Sequence, residues 1–236
     1  MPTVENKQYE GKYFSILGDS ISTLCGYNPP DYAVFYQGEN CRLCQVFAPE
    51  DTWWGQVLER LEAKLLVNNA FSGSLVCHHP ACQIPSYGCS DERTGLLHKG
   101  QVHPDVVMIF MGINDWGCGM QLQPNGEYQG LRVFSVAYRT MLQKIKNNYP
   151  RAEIWCLTLP RSCWSAQPQV LIPAYRAGGH YGEYCNVIAQ CAALEGCRLV
   201  ELYDPAHPYD TVDGFHPTRA GMQTIADGVL AALEKW

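Results

Sequence analysis

Five short apolar runs, separated by stretches of helical periodicity, constrain this chain more than any other feature. YFSIL at 13–17, LLVNN at 65–69, DVVMIFMG at 105–112, EIWCLTL at 153–159 and RLVELY at 198–203 read as strands. The third is apolar almost throughout, as a strand buried on both faces must be. Trp54, Leu58, Leu61 and Leu65 recur at helical spacing behind Asp51 or Thr52, either of which can cap a helix. Phe134, Tyr138, Met141 and Ile145 mark a helix over 131–148, ended by Pro150. Residues 181–195 predict another, and Met222, Ile225, Val229 and Leu233 mark the last. Strands alternating with helices predict an α/β fold, a three-layer α/β/α sandwich around a five-stranded parallel sheet. In such sheets ligands bind beyond the carboxyl ends of the strands. The places to search are therefore 18–25, 70–77, 112–119, 160–180 and 204–218.

Composition narrows the class of partner. No repeat, low-complexity tract or Ser/Gly linker divides the 236 residues, so 1–236 is read as one domain. A hydrophobic content of 47% excludes intrinsic disorder. With 17 basic and 23 acidic residues the net charge is −6, which argues against a nucleic-acid partner and gives no reason to expect an anionic membrane. The longest apolar runs are too short to span a bilayer. The first twenty residues lack the cationic start and long apolar stretch of a secretory signal. A cytoplasmic protein with reduced thiols is expected, unless a leader has been lost ahead of Met1.

Polar residues at the strand ends carry the chemistry. Ser20 follows the first strand in Gly18-Asp19-Ser20-Ile21-Ser22. A serine becomes a useful nucleophile only when a neighbouring base takes its proton; the plainer alternative is a serine that caps the following turn. No G-x-G-x-x-G follows this strand, so the dinucleotide fingerprint is absent. A candidate base lies near the other end of the chain, in Asp213-Gly214-Phe215-His216-Pro217. A carboxylate three residues before a histidine can accept from its Nδ1–H, fix the tautomer and stabilise the imidazolium. By itself the pair also fits an ordinary turn. Gly73, after the second strand, and Asn114, in Gly112-Ile113-Asn114-Asp115 after the third, could supply hydrogen-bond donors to a developing oxyanion, with the Ser20 N–H as a further donor. Each is also an ordinary loop residue, but four such pieces at one sheet edge are hard to reach by accident.

With these four motifs in this order, the chain resembles the SGNH hydrolases, also called GDSL-type esterases and lipases. The resemblance runs from residue 18 to 217 and rests on Ser20, Gly73, Asn114 and the Asp213–His216 pair. The first motif departs slightly, with Ile21 where many members carry leucine. The resemblance implies a flavodoxin-like three-layer fold and cofactor-free hydrolysis of a small-molecule acyl ester through an acyl-enzyme. It assigns Ser20 as nucleophile, Asp213 and His216 as acid and base, and Ser20, Gly73 and Asn114 as the oxyanion hole. Carbohydrate deacetylation is the favoured subtype. A thioesterase or lysophospholipase would use the same triad, and a non-catalytic binding domain is the reading from another class.

Other residues lend themselves to a substrate pocket. Asp19, Arg93, Trp116 and Trp164 are the candidates, with Arg161, Tyr175, Arg176, His180 and Tyr181 in the same loop as Trp164. Arg93 could take an anionic group or, more plainly, pair with a neighbouring carboxylate. The 12 cysteines include Cys41-x-x-Cys44 and a second group around Cys77 and Cys82. They are weak zinc candidates, because the second spacing does not match a zinc ribbon, and a Cys-rich metal or redox protein is the corresponding alternative function. No metal is assigned.

Overall fold

The first strand, β1 (Tyr13–Gly18), is buried along all but its first residue and lies second in the main sheet, between two other strands. The computed structural model describes residues 7–79, 87–164, 167–171, 175–176, 178–204 and 206–236, with the side chains of 164–177 outside that description. After β1 come α1 (Gly38–Cys44), α2 (Trp53–Arg60), β2 (Lys64–Ala70), α3 (Asp91–Gly95), β3 (Val106–Phe110), α4 (Ile113–Gly117), α5 (Phe134–Asn148) and β4 (Glu153–Leu157). Four short strands follow, β5 (Ser162–Trp164), β6 (Gln167–Leu171), β7 (Tyr175–Arg176) and β8 (Gly179–His180). The chain ends with α6 (Tyr181–Glu195), β9 (Arg198–Val200), β10 (Tyr209–Thr211) and α7 (Arg219–Leu233).

The main sheet has the order β2-β1-β3-β4-β9, and every neighbouring pair is parallel. This is the expected five-stranded, flavodoxin-like α/β sandwich. The chain leaves β1 towards β2 and then crosses back to β3, so the strand order reverses beside β1, where a crevice opens at the carboxyl ends. Helices cover both faces: α2 packs with α7, and α5 packs with α3 and α6. Among the described residues, no helix is long and apolar enough to cross a membrane.

Local chemistry explains where elements begin and end. The Thr52 hydroxyl accepts from Gly55 N–H at 3.0 Å and opens α2. The apolar stripe predicted helix as far as Leu65, but α2 ends at Arg60 and Leu65 belongs to β2. Glu62, at φ 52°, turns the chain between them, a left-handed conformation that no helix interior accommodates. The last sheet strand is likewise shorter than the expected 198–203. Leu202 and Tyr203 turn their N–H groups to Thr158 Oγ1 at 2.7 and 3.1 Å instead of to a neighbouring strand.

A second sheet was not legible in the sequence. Residues 160–180 and 204–218 read as loops, yet β10 pairs parallel with β5, and β5 pairs antiparallel with β6. β7 and β8 form a two-stranded ribbon. Strands of two to five residues are too short to carry periodicity. Close approach of α7 holds β10 in place: a Cβ on Gly221 would stand 2.1 Å from Asp210 O, so only glycine fits.

Beneath the crevice lies a fully buried arginine. Arg93 Nε donates to Asn69 Oδ1 at 2.7 Å and Nη1 to Ser74 Oγ at 2.8 Å. Nη2 donates to Gly18 O at 2.8 Å and Asn69 O at 2.7 Å. The guanidinium thus ties the ends of β1 and β2 to the loop after β2. Arg93→Met keeps much of the volume but strands these acceptors, at about 1–3 kcal/mol for each one left unsatisfied. The variant should lose at least about 3 kcal/mol in urea unfolding; a change under about 1 kcal/mol would contradict this role.

Candidate active site

Ser20 sits just past the carboxyl end of β1. Asp19, extended, accepts the Ile21 N–H at 3.0 Å and caps the single 3-10 turn Ser20–Ser22. Ser22 anchors the turn from below. Its hydroxyl accepts from Trp53 Nε1 at 3.2 Å, and its carbonyl accepts from Trp54 Nε1 at 3.0 Å and Asn68 Nδ2 at 2.8 Å. Two indoles and an amide therefore hold the turn rigid, and Ser20 is left 5% exposed.

The Asp213–His216 turn meets it from the other end of the chain. His216 Nε2 lies 2.9 Å from Ser20 Oγ across 196 positions of sequence. His216 Nδ1 lies 2.6 Å from Asp213 Oδ2, while Asp213 Oδ1 accepts the N–H groups of Phe215 at 3.0 Å and His216 at 2.8 Å. Burial pushes the Asp213 carboxyl up, but the ring and these two amides outweigh it and hold the group below the usual carboxylate range. The turn is itself clamped. Ser162 Oγ donates to Gly214 O at 2.7 Å, Tyr209 OH to Phe215 O at 2.9 Å and Tyr36 OH to Pro217 O at 3.0 Å. The small sheet of β5 and β10, missed from sequence, supplies two of these clamps.

Gly73, in the loop after β2, and Asn114, at the start of α4, lie side by side. Gly73 has φ +79°, in the turn where Ser74 N–H reaches Phe71 O, a conformation that favours glycine. Asn114, in the first turn of α4, donates from Nδ2 to Ser74 O at 3.0 Å. Its neighbour Asp115 is fully buried and accepts Val76 N–H at 2.8 Å and Cys77 N–H at 2.9 Å. Asp115 thereby pins the Gly73 loop against α4. Sequence reasoning did not single it out, although its place beside Asn114 in an otherwise apolar stretch was a usable signal.

The proposed pocket residues fare differently. Arg93 is held by neutral acceptors beneath the site, so neither the anion contact nor the carboxylate pair expected for it describes how it is bound. Trp116 is 1% exposed and packs edge-on against Tyr181 at 4.9 Å, which makes it core instead of pocket wall. Tyr181 is buried too, with Arg161 over its ring at 5.5 Å. His180 caps α6, its Nδ1 accepting Gly182 N–H at 3.1 Å. The side chains of Trp164, Tyr175 and Arg176 lie outside the described residues.

Among the described residues, the cysteines do not gather into a second centre. Cys41 and Cys44 lie on α1 and Cys77 in the loop after β2, while Cys82 falls outside the described residues. Burial pushes the Cys44 and Cys89 thiols up to about 12 and raises the Cys77 thiol well above its ordinary value, which keeps them protonated. Among the described residues, no group of three or more His, Cys, Asp or Glu side chains could hold a metal ion.

Asp19 is the most perturbed carboxyl at the site. Burial pushes it up to about 7, opposed by the Ile21 N–H, and the nearby Asp115 carboxyl adds to the rise. Arg93 opposes the rise only from a distance, because its N–H groups are spent on other acceptors. Asp115 is raised to about 6, again chiefly by burial. A carboxyl raised in the fold contributes stability that is full below its unfolded pKa, near 4, and lost as pH rises through about 7. Asp19→Asn keeps an acceptor for Ile21 and removes the charge. Its Tm relative to the wild type should therefore rise between pH 5 and pH 8, by roughly 2–4 °C for each kcal/mol recovered. Parallel Tm curves for the two proteins across that range would contradict the assignment.

The chain is similar to known proteins over most of its length. A family model for GDSL-like lipase/acylhydrolase matches residues 12–161. A solved structure from Bacteroides ovatus described as a GDSL-like lipase aligns with 96% of this chain and 100% of its own, at 26% identity and a TM-score of 0.71. Another so described, from Bacteroides uniformis, aligns with 96% of this chain and 97% of its own, at 26% identity and a TM-score of 0.72. A family two carbohydrate esterase from Clostridium thermocellum, in complex with cellohexaose, shares the fold at 17% identity and a TM-score of 0.58, over 96% of this chain and 65% of its own. No curated protein matches the sequence.

Proposed function

This chain belongs to the GDSL-like lipase/acylhydrolase family and is an ester-cleaving hydrolase; within that family we propose that it is a serine esterase of small O-acyl esters, working through Ser20, His216 and Asp213. The observation that carries this reading is the unbroken relay Ser20 Oγ, His216 Nε2, His216 Nδ1, Asp213 Oδ2, with separations of 2.9 and 2.6 Å. A serine, an imidazole and a carboxylate in that order are the parts needed to generate an alkoxide-like nucleophile at neutral pH.

In the first half-reaction His216 Nε2 takes the Ser20 proton as Oγ attacks the acyl carbon. Asp213 holds the Nδ1–H tautomer and stabilises the imidazolium. Charge accumulates on the former carbonyl oxygen, where the Ser20 and Gly73 N–H groups and the Asn114 amide serve as donors. Collapse of this intermediate breaks the ester C–O bond, His216 returns the proton to the leaving alcohol, and Ser20 carries the acyl group. His216 then deprotonates a water that attacks the acyl carbon, releasing the carboxylic acid and restoring the Ser20 hydroxyl. Asn114 has one amide hydrogen engaged with Ser74 O. That bond fixes the direction of the other, the preorganisation an oxyanion donor requires.

For the alcohol part, acylated carbohydrate is the first class to assay, since the carbohydrate esterase in complex with cellohexaose has the same fold. Ser20→Ala should abolish turnover of p-nitrophenyl acetate and of acetylated sugars while leaving the circular dichroism spectrum unchanged. Activity within tenfold of wild type would sink the proposal. Asn114→Ala should lower kcat about 10²–10³-fold, the usual cost of removing one oxyanion donor. A loss below about fivefold would remove Asn114 from that role.

A further inference from the structure

Phe35 lies in the loop before α1, outside every motif, and its ring lies flat on the His216 imidazole. The centroids are 3.4 Å apart and the planes 6° from parallel. Because 3.4 Å is the van der Waals thickness of an aromatic ring, a centroid separation this short leaves almost no lateral offset. For two neutral rings this sandwich is the disfavoured arrangement, since the negative faces repel; neutral aromatic pairs slide apart or turn edge-on. Phe35 adopts the edge-on geometry with its other neighbour, Tyr36, at 5.0 Å and 81°. A flat cation over a phenyl face is attracted by the same quadrupole. The face-on stack therefore suits the imidazolium better than the imidazole.

The contact is built in. Thr23 Oγ1 donates to Ser20 O at 2.8 Å and accepts the Phe35 N–H at 3.0 Å, so one hydroxyl joins the Ser20 turn to the backbone of Phe35. Asn40 Nδ2 donates to Phe35 O at 3.0 Å, and Tyr36 OH holds Pro217 O at 3.0 Å. The segment that bears the phenyl ring is tied both to the serine and to the residue after the histidine.

We propose that Phe35 is a positioning residue for the reaction. It keeps the imidazole plane aligned between Asp213 and Ser20, and it stabilises the imidazolium that forms as the tetrahedral intermediates form and collapse. This rests on the Ser20–His216–Asp213 reading above. An interaction stronger in the transition state than in the ground state raises kcat and leaves KM alone. Other titratable groups face this corner: Asp213 on the turn, Asp19 beside Ser20, Tyr36 and Cys44 from the segment 35–44, and Tyr209 from β10. Of these the Phe35 ring stacks on none, so a change in its face is felt first at the imidazole.

The test compares wild type, Phe35→Leu and Phe35→Tyr, with Ser20→Ala as reference, on p-nitrophenyl acetate from pH 4.5 to 9. Leucine keeps apolar bulk without the π-face, whereas tyrosine keeps the face. Phe35→Leu should lower kcat about tenfold with KM within twofold, and move the acid limb of kcat/KM to lower pH by about half a unit. Phe35→Tyr should retain both wild-type values. Where Phe35→Leu melts below the assay temperature, Phe35→Met replaces it. A leucine variant with wild-type kcat and acid limb would overturn the inference, as would equal losses in leucine and tyrosine or a fall in kcat with the limb unmoved. Should Ser20→Ala stay active, the triad reading itself fails and takes this inference with it. A dead Ser20→Ala beside a silent Phe35→Leu removes Phe35 alone.

Discussion

One buried cation organises the floor of the crevice. Arg93 has no exposed surface, and burial lowers it to about 10, yet it remains charged at neutral pH because its donors reach Gly18 O, both oxygens of Asn69 and the Ser74 hydroxyl. Each acceptor belongs to a segment that leads to a proposed functional group. Gly18 precedes Asp19 and Ser20, Asn69 lies at the carboxyl end of β2, and Ser74 follows Gly73. A planar fork that satisfies several acceptors at once sets their separation, as a single ammonium could not. Asp115 completes the arrangement from the far side by holding Val76 and Cys77, and Asn114 adds its bond to Ser74 O. In the proposed mechanism, preorganisation of the oxyanion donors would thus follow from buried polar satisfaction one layer down.

The histidine side is assembled by different means. Its turn belongs to no strand of the main sheet and is held by hydroxyls from Tyr36, Ser162 and Tyr209, by β10 lying against α7, and by the ring of Phe35. The rigid serine turn and the clamped histidine turn come from opposite ends of the chain. Thr23 and the segment 35–36 form the bridge between them. The two ends differ in exposure: Ser20 is 5% exposed, while the Asp213 side chain is 43% exposed.

Much of this was legible in the chain, and the reasons are physical. The five-stranded parallel sheet followed from apolar runs and helical stripes, because burial on both faces leaves a periodic trace in each element. Ser20, Gly73 and Asn114 were singled out because each lies close after an apolar strand, and His216 because Asp213 stands three residues before it; their order resembles one family. Arg93 and Trp116 were misjudged as wall residues for the same physical reason. A polar or amphipathic side chain near a strand end can point into the crevice or under it, and neighbours along the chain do not decide which. Phe35 left no trace at all, since a lone aromatic in a loop has no period and its partner is 181 positions away.

The sequence by itself determined the layered α/β architecture and the identity of the polar residues at the sheet's carboxyl edge. Both depend on local pattern, where the alternation of apolar and polar positions records which face is buried. Tertiary structure alone decided that Arg93 is a buried tie, that Asp19 is a carboxyl raised to about 7, that short strands anchor the histidine turn, and that a phenyl ring covers the imidazole. These depend on desolvation and on contacts between segments far apart in sequence, and neither quantity exists until the chain has closed.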